Sequence, residues 1–130
     1  MEKIIWNEKV FSVGHPLMDE QHRILVGLIN QFIDLSSSGV TPKEIQRHFI
    51  KMVQYAMYHF GAEEMLLSSV SSSMLEDHKK SHDQFAERAI DALMSCDGQN
   101  IDQAIKTFTD LWTNHVQVMD MEYRPLFIGY

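Results

Sequence analysis

Thr41-Pro42-Lys43-Glu44 opens the stretch that decides how this chain folds, residues 41–66, in which Ile45, Phe49, Met52 and Ala56 recur at helical spacing and lead into His59, Glu63 and Leu66. Three helix-start signals coincide at its head: a hydroxyl N-cap, a proline whose missing N–H costs nothing in the first turn, and a glutamate three residues on. The apolar stripe predicts an amphipathic helix. His59 and Glu63 disturb it, because they stand four residues apart on the face that should be buried. A charge in that position requires a partner from elsewhere in the chain.

Working outward, each flanking segment supplies one. From Leu17 to Ser36, His22, Val26, Ile29 and Ile33 keep helical spacing, and the pattern dies in Ser36-Ser37-Ser38-Gly39. The serine cluster Ser68–Ser73 breaks the second helix, and Ser73-Met74-Leu75-Glu76 has the capping-box form for a third. Its stripe runs Leu75, His78, His82, Phe85, Ala89, Leu93 and Cys96. Asp97-Gly98-Gln99-Asn100 reads as a turn with Asn100 as cap, and Ile101, Ile105, Phe108, Trp112, His115 and Met119 make the stripe of a fourth helix before Pro125 stops it. The first sixteen residues lack helical periodicity and read as an extended arm, with Trp6 and Phe11 as anchors.

Four helices of similar length on short connections predict an all-α, up-down-up-down four-helix bundle with an extended N-terminal arm. The chain of 130 residues fits one domain, with the arm at 1–16, the bundle at 17–124 and a tail at 125–130. The net charge of −7 argues against nucleic acid or an anionic membrane as partner. No apolar stretch approaches a membrane span or a secretory signal, so a cytoplasmic protein is expected. Cys96, the single cysteine, is read as a small buried core residue. A monomer is expected, since no exposed apolar seam is evident.

Chemistry follows from the inner stripes. His22, His59, Glu63, His78, His82, His115 and Asp120 supply five imidazoles and two carboxylates, enough to wrap two adjacent metal ions. Imidazoles suit iron, copper, nickel and zinc, and carboxylates favour a six-coordinate ion such as iron or manganese. Two bridging carboxylates, five imidazoles and a bridging oxygen fill eleven of the twelve positions of two octahedral irons. One position stays open for a small ligand. Nothing in the set looks like a general acid or base, so no enzyme is expected. Asp19 shares the face of His22 and can orient that turn or support the site. His48 stands eleven residues before His59, about 16 Å along the axis, so it and His15 are assigned to structure or surface. His115 and Asp120 are five residues apart, roughly 500° of a regular helix, which predicts a π-type irregularity between His115 and Met121.

Gly14-His15-Pro16-Leu17-Met18-Asp19-Glu20-Gln21-His22, His59-Phe60-Gly61-Ala62-Glu63-Glu64, His78-Lys79-Lys80-Ser81-His82 and Asn114-His115 followed by Asp120 together resemble the hemerythrin family in its single-domain bacterial form. The resemblance covers nearly the whole chain, including Ile5-Trp6-Asn7 in the arm. It implies a non-haem di-iron cofactor, two iron ions joined by an oxo or hydroxo bridge, that binds dioxygen reversibly as carrier, store or sensor. His78, His82 and His115 would hold one iron, His22 and His59 the other, and Glu63 and Asp120 would bridge them. Dioxygen would bind end-on at the two-histidine iron and sit there as hydroperoxide. Two departures stand out: Leu111-Trp112 reverses the order the family often has before its Asn-His, and a serine-rich stretch replaces a Gly-Tyr-Pro type turn.

Two other classes compete. A di-iron oxidase or peroxidase would favour more glutamates and Glu-x-x-His repeats, which this chain lacks, and a nitric-oxide-binding protein would use the same vacancy. A zinc-loaded structural bundle would make redox chemistry irrelevant. A downstream protein partner is left open.

Overall fold

The computed structural model describes residues 2–96 and 100–127. Five helices run α1 (Glu8–Phe11), α2 (Pro16–Ser36), α3 (Pro42–Val70), α4 (Ser72–Met94) and α5 (Ile101–Asn114), followed by a π turn over His115–Met119 and 3-10 turns over Asp120–Glu122 and Arg124–Leu126. No strand occurs among the described residues. α2 packs on α3, α3 on α4, α4 on α5 and α5 back on α2, which closes the four-helix bundle. Among the described residues no helix is long and apolar enough to cross a membrane.

Local chemistry sets the helix ends. The His15 ring accepts from the Met18 N–H at 3.4 Å and Pro16 follows at the first helical position, so α2 starts where three residues agree. Gly39, at φ +78°, takes the left-handed conformation that lets the chain leave α2. Thr41 Oγ1 accepts from the Glu44 N–H at 3.3 Å, the expected cap of α3.

Three expectations for the α3–α4 region are corrected. The serines do not break α3 at Ser68: the Ser68 and Ser69 hydroxyls donate back to the Met65 and Leu66 carbonyls at 2.7 and 2.8 Å, and the helix continues to Val70. Ser71, not Ser73, caps α4, and the same residue terminates α3, so the connection is a single extended residue. The inward position near the end of α3 is Leu67 rather than Leu66, which is half-buried.

The arm is not wholly extended. Asn7 accepts from the Lys9 N–H at 3.0 Å and starts the short α1, an Asn cap legible in sequence that went unread. Asn30 clamps the arm by exchanging two hydrogen bonds with the Ile4 backbone, at 2.7 and 2.9 Å. Cys96 is half-buried at the rim of the core rather than inside it. Asn100 precedes α5 but makes no side-chain cap bond; its amide donates to the Ser95 carbonyl. The turn expected at Asp97-Gly98-Gln99 lies outside the described residues, as does the end of the tail at 128–130. Pro125 does not stop the fourth helix, which has already loosened at His115; it sits inside a 3-10 turn.

Candidate metal centre

His22 comes from α2, His59 and Glu63 from α3, His78 and His82 from α4, and His115 and Asp120 from the loosened end of α5. All seven converge, and none is more than 4% exposed. His22 Nε2 lies 3.1 Å from His59 Nε2, and His82 Nε2 lies 3.2 Å from His115 Nε2. The carboxylates stand between the two groups and divide their oxygens. Glu63 Oε1 lies 2.8, 3.4 and 3.7 Å from the Nε2 atoms of His82, His115 and His78, while Oε2 lies 3.5 Å from that of His59. Asp120 Oδ1 lies 3.1 and 3.3 Å from His115 and His78, and Oδ2 lies 3.2 Å from His22. Glu63 and Asp120 thereby belong to two donor groups at once, one with His22 and His59, the other with His78 and His115.

The π turn makes this possible. A regular helix would leave Asp120 about 140° from His115, but the Asp120 N–H bonds the His115 carbonyl, five residues back, and the widened turn swings both side chains inward. The irregularity expected between His115 and Met121 is therefore present.

Each imidazole is fixed from behind through Nδ1. The Nδ1 atoms face the Phe11 carbonyl (His22, 2.7 Å), Gln21 Oε1 (His59, 2.6 Å), the Met74 carbonyl (His78, 3.1 Å), the Glu64 carboxylate (His82, 2.9 Å) and the Ser81 hydroxyl (His115, 3.0 Å). Four of these partners can only accept in this geometry, and Ser81 can. Nδ1 therefore carries the proton, and Nε2 presents a lone pair to the interior. Phe60 lies flat on His82, with centroids 4.0 Å apart and planes 11° apart, and locks that ring further.

Chemically, the pocket is a set of acceptors facing one another. Five Nε2 lone pairs and four carboxylate oxygens converge, and the single O–H donor among them is Tyr123, which reaches Glu63 Oε2 at 2.8 Å. Asp120 Oδ2 is buried and finds no aligned donor at all. Such a set is stable only around positive charge. Without metal, that charge is protons. Burial pushes the His115 imidazolium down, but the Asp120 charge beside it overrides this and raises its pKa to about 10. His22 and His78 are raised for the same reason, against burial, while burial wins at His59 and lowers it. Both carboxyls are held below their usual range by the surrounding imidazoles, although burial alone would raise them. The donor types and the division of the carboxylate oxygens fit a pair of imidazole- and carboxylate-liking ions such as iron.

The remaining expectations sort cleanly. Asp19 does not touch the cluster; it accepts from the Val13 N–H and the Ser12 hydroxyl, both at 2.7 Å, and pins the arm to α2. His15 is the α2 cap, and His48 faces the Leu28 carbonyl at 3.0 Å, far from the cluster. Tyr123, Gln21, Glu64 and Ser81 were missed. Tyr123 was the most findable, standing three residues after Asp120 and hence on its face.

The Hemerythrin HHE cation binding domain family matches residues 13–127. A hemerythrin-like protein of Naegleria gruberi is 31% identical over 115 residues, covering 88% of this chain and 86% of the relative. A myohemerythrin of Theromyzon tessulatum is 30% identical over 121 residues, covering 92% and 89%, and a bacteriohemerythrin of Pseudomonas aeruginosa is 26% identical over 125 residues, covering 95% and 80%. Among solved structures, wild-type hemerythrin superposes with a TM-score of 0.80 at 19% identity, covering 97% of this chain and 98% of that one, a likeness of fold.

Proposed function

This chain belongs to the hemerythrin family, and on that premise we propose that it is a reversible dioxygen-binding protein, not an enzyme, built on a non-haem di-iron centre. His78, His82 and His115 would hold one iron and His22 and His59 the other, with Glu63 and Asp120 offering an oxygen to each. One observation carries the reading: each carboxylate turns one oxygen to the three-histidine group and the other to the two-histidine group, in a buried pocket otherwise made of imidazole Nε2 atoms. Bound there, a redox-active iron pair would supply the electrons for reversible binding of a diatomic ligand.

The chain's own residues orient, insulate and hold a proton. Phe11, Gln21, Met74, Glu64 and Ser81 fix the imidazoles so that the two-histidine and three-histidine sides cannot exchange ligands. Trp112, fully buried with its ring 5.9 Å from that of His22, and Phe11 stacked on it wall the two-histidine side with apolar surface that excludes water. Tyr123 keeps its proton: burial, then the charges of Asp120 and Glu63, raise its pKa, so the phenol remains a donor to Glu63 at all physiological pH. A site without a free general acid or base favours binding over turnover.

Metal analysis followed by anaerobic reduction and oxygen titration tests this. About two irons per chain and a visible absorption that appears with oxygen and disappears under vacuum support it. Zinc alone, or irreversible oxidation with substrate turnover, overturns it.

A further inference from the structure

A line of aromatic rings leads from the cluster to the surface. The Trp112 ring stands edge-on to His22 at 5.9 Å, Phe11 stacks on Trp112 at 5.4 Å with planes 15° apart, and Trp6 follows Phe11 at 5.5 Å. Trp112 is fully buried, Phe11 is buried and Trp6 is half-exposed. We propose that Trp6, Phe11 and Trp112 form a relay that carries oxidising equivalents from the metal centre to the surface, where Trp6 gives them up, sparing the histidines when a peroxide over-oxidises the site. The proposal rests on the di-iron reading above.

The two indoles differ in the way such a relay requires. Indole gives up one electron far more readily than the benzene ring of Phe11, which therefore serves as a contact bridge. Losing an electron turns the indole N–H from a very weak acid into one of about carboxylic-acid strength. Trp112 Nε1 is buried with no hydrogen-bond partner, so an oxidised Trp112 has nowhere to send that proton and must be refilled. Trp6 Nε1 donates to Glu8 Oε1 at 2.6 Å, and Glu8 is exposed, so an oxidised Trp6 passes its proton on and settles as a neutral radical. The Arg23 guanidinium, 4.5 Å over the Trp6 ring, disfavours a positive charge kept there, and because it also donates to Glu8 Oε1 at 2.9 Å the exposed carboxylate holds the proton only in passing to solvent. Tyr123 is the competing donor. Its proton can go only to Glu63, a carboxylate committed to the metals, so the phenol is the poorer exit.

The electrons balance. Hydrogen peroxide breaks its O–O bond and, with two electrons from the metal pair and two protons from solvent, leaves as two waters. Each passage along the relay returns one electron to the centre while Trp6 loses that electron and its Nε1 proton, the proton going to Glu8. A thiol or other one-electron reductant at the surface then gives Trp6 back an electron and a proton.

The test uses the iron-loaded chain oxidised to the ferric state, mixed with hydrogen peroxide, frozen for electron paramagnetic resonance, and mapped by peptide mass spectrometry. A neutral indole radical with oxidation products concentrated at Trp6 is expected. Trp6→Phe should shift oxidation to Trp112 and the ligand histidines and raise iron loss per peroxide several-fold. Glu8→Gln, at an exposed position, should cut the Trp6 product several-fold without moving the melting temperature. A tyrosyl signal with oxidation at Tyr123, or unchanged iron loss in Trp6→Phe, overturns the relay. The oxygen cycle is run on the same batch: a reversible oxygen band without an indole radical sinks the relay alone, and a chain that takes up no iron sinks both.

Discussion

At one end of the bundle Phe32, Phe49, Phe85 and Phe108, one from each long helix, meet edge to face with centroids 5.3 to 5.8 Å apart; at the other end the same four helices contribute five imidazoles and two carboxylates. The up-down order sets this division. Phe32 and Phe85 follow the histidines of α2 and α4, whereas Phe49 and Phe108 precede those of α3 and α5, so alternating chain direction gathers four rings at one level and seven ligating groups at the other. The apolar end is self-sufficient, since edge-to-face rings and buried area hold without any ion. The polar end is a debt of buried charge that only positive charge settles. The two ends should therefore fail differently.

The largest effect comes from Glu63→Ala. It removes the oxygen facing His82, His115 and His78 together with the one facing His59, so both irons should be lost, and the melting temperature should no longer rise on metal loading. A ligand that binds only the folded state stabilises it through its affinity. Phe49→Ala should do the reverse. It should cost about 3–5 kcal/mol equally in loaded and metal-free protein, and leave iron at two per chain. Denaturation of both forms, with metal analysis, checks the pair, and loss of iron in Phe49→Ala would erase the distinction between the ends.

Next in size is the pH response of the metal-free protein. His115 is raised from 6.5 to about 10 in the folded state, so its contribution is fully present below pH 6.5 and is lost as pH rises through 10. Glu63 and Asp120 are held low, so theirs is present above the ordinary carboxylate range near pH 4 and is lost on acidification. Metal-free stability should peak between these limits and fall steadily towards pH 10. Ligation needs deprotonated imidazoles, so iron affinity should climb over the same interval. A metal-free protein as stable at pH 10 as at pH 6 would mean that the polar end holds no protons in place of metal.

The two ends were not equally legible in the sequence. Helical spacing located all four long helices and six of the seven converging residues, Asp120 alone falling off its stripe, because period and side are properties of the chain itself. The mismatch of five between His115 and Asp120 even foretold the π turn. What escaped was what depends on contacts between distant segments: the Phe11 carbonyl behind His22, Gln21 behind His59, Ser81 behind His115. No spacing rule reveals these, since each partner sits on another helix or is aimed by a local turn. The serines misled for a different reason. Ser68 and Ser69 look like breakers, yet their hydroxyls bond within the last turn of α3 and the helix survives.

Tyr123→Phe sharpens the comparison on a smaller scale. The phenol is the one O–H donor among the described residues aimed into the polar end, bonding Glu63 Oε2 at 2.8 Å, and its loss should cost about 1.5–3 kcal/mol, as for a hydrogen bond to a charged group. Iron should be retained, because no ligating atom is removed, but the visible spectrum should shift as the Glu63 carboxylate becomes a stronger donor. Metal analysis and absorption together decide it. Unchanged absorption would mean that the hydrogen bond only fills space.

The smallest effect separates two neighbouring serines. Ser71 ends α3 and starts α4, its hydroxyl accepting from the Met74 N–H at 3.3 Å, and the Met74 carbonyl in turn orients His78 through Nδ1 at 3.1 Å. Ser71→Ala should therefore cost about 1 kcal/mol, the usual loss of an N-cap, and loosen iron at the three-histidine side. Ser73→Ala, at an exposed position beyond the cap, should stay within about 0.5 kcal/mol of the parent. If the order reversed, the capping box would begin at Ser73 after all and the turn would lie two residues later in the chain. His78 would then be held by packing rather than by its connection to the α3–α4 turn, and the polar end would depend less on its own backbone than the distances imply.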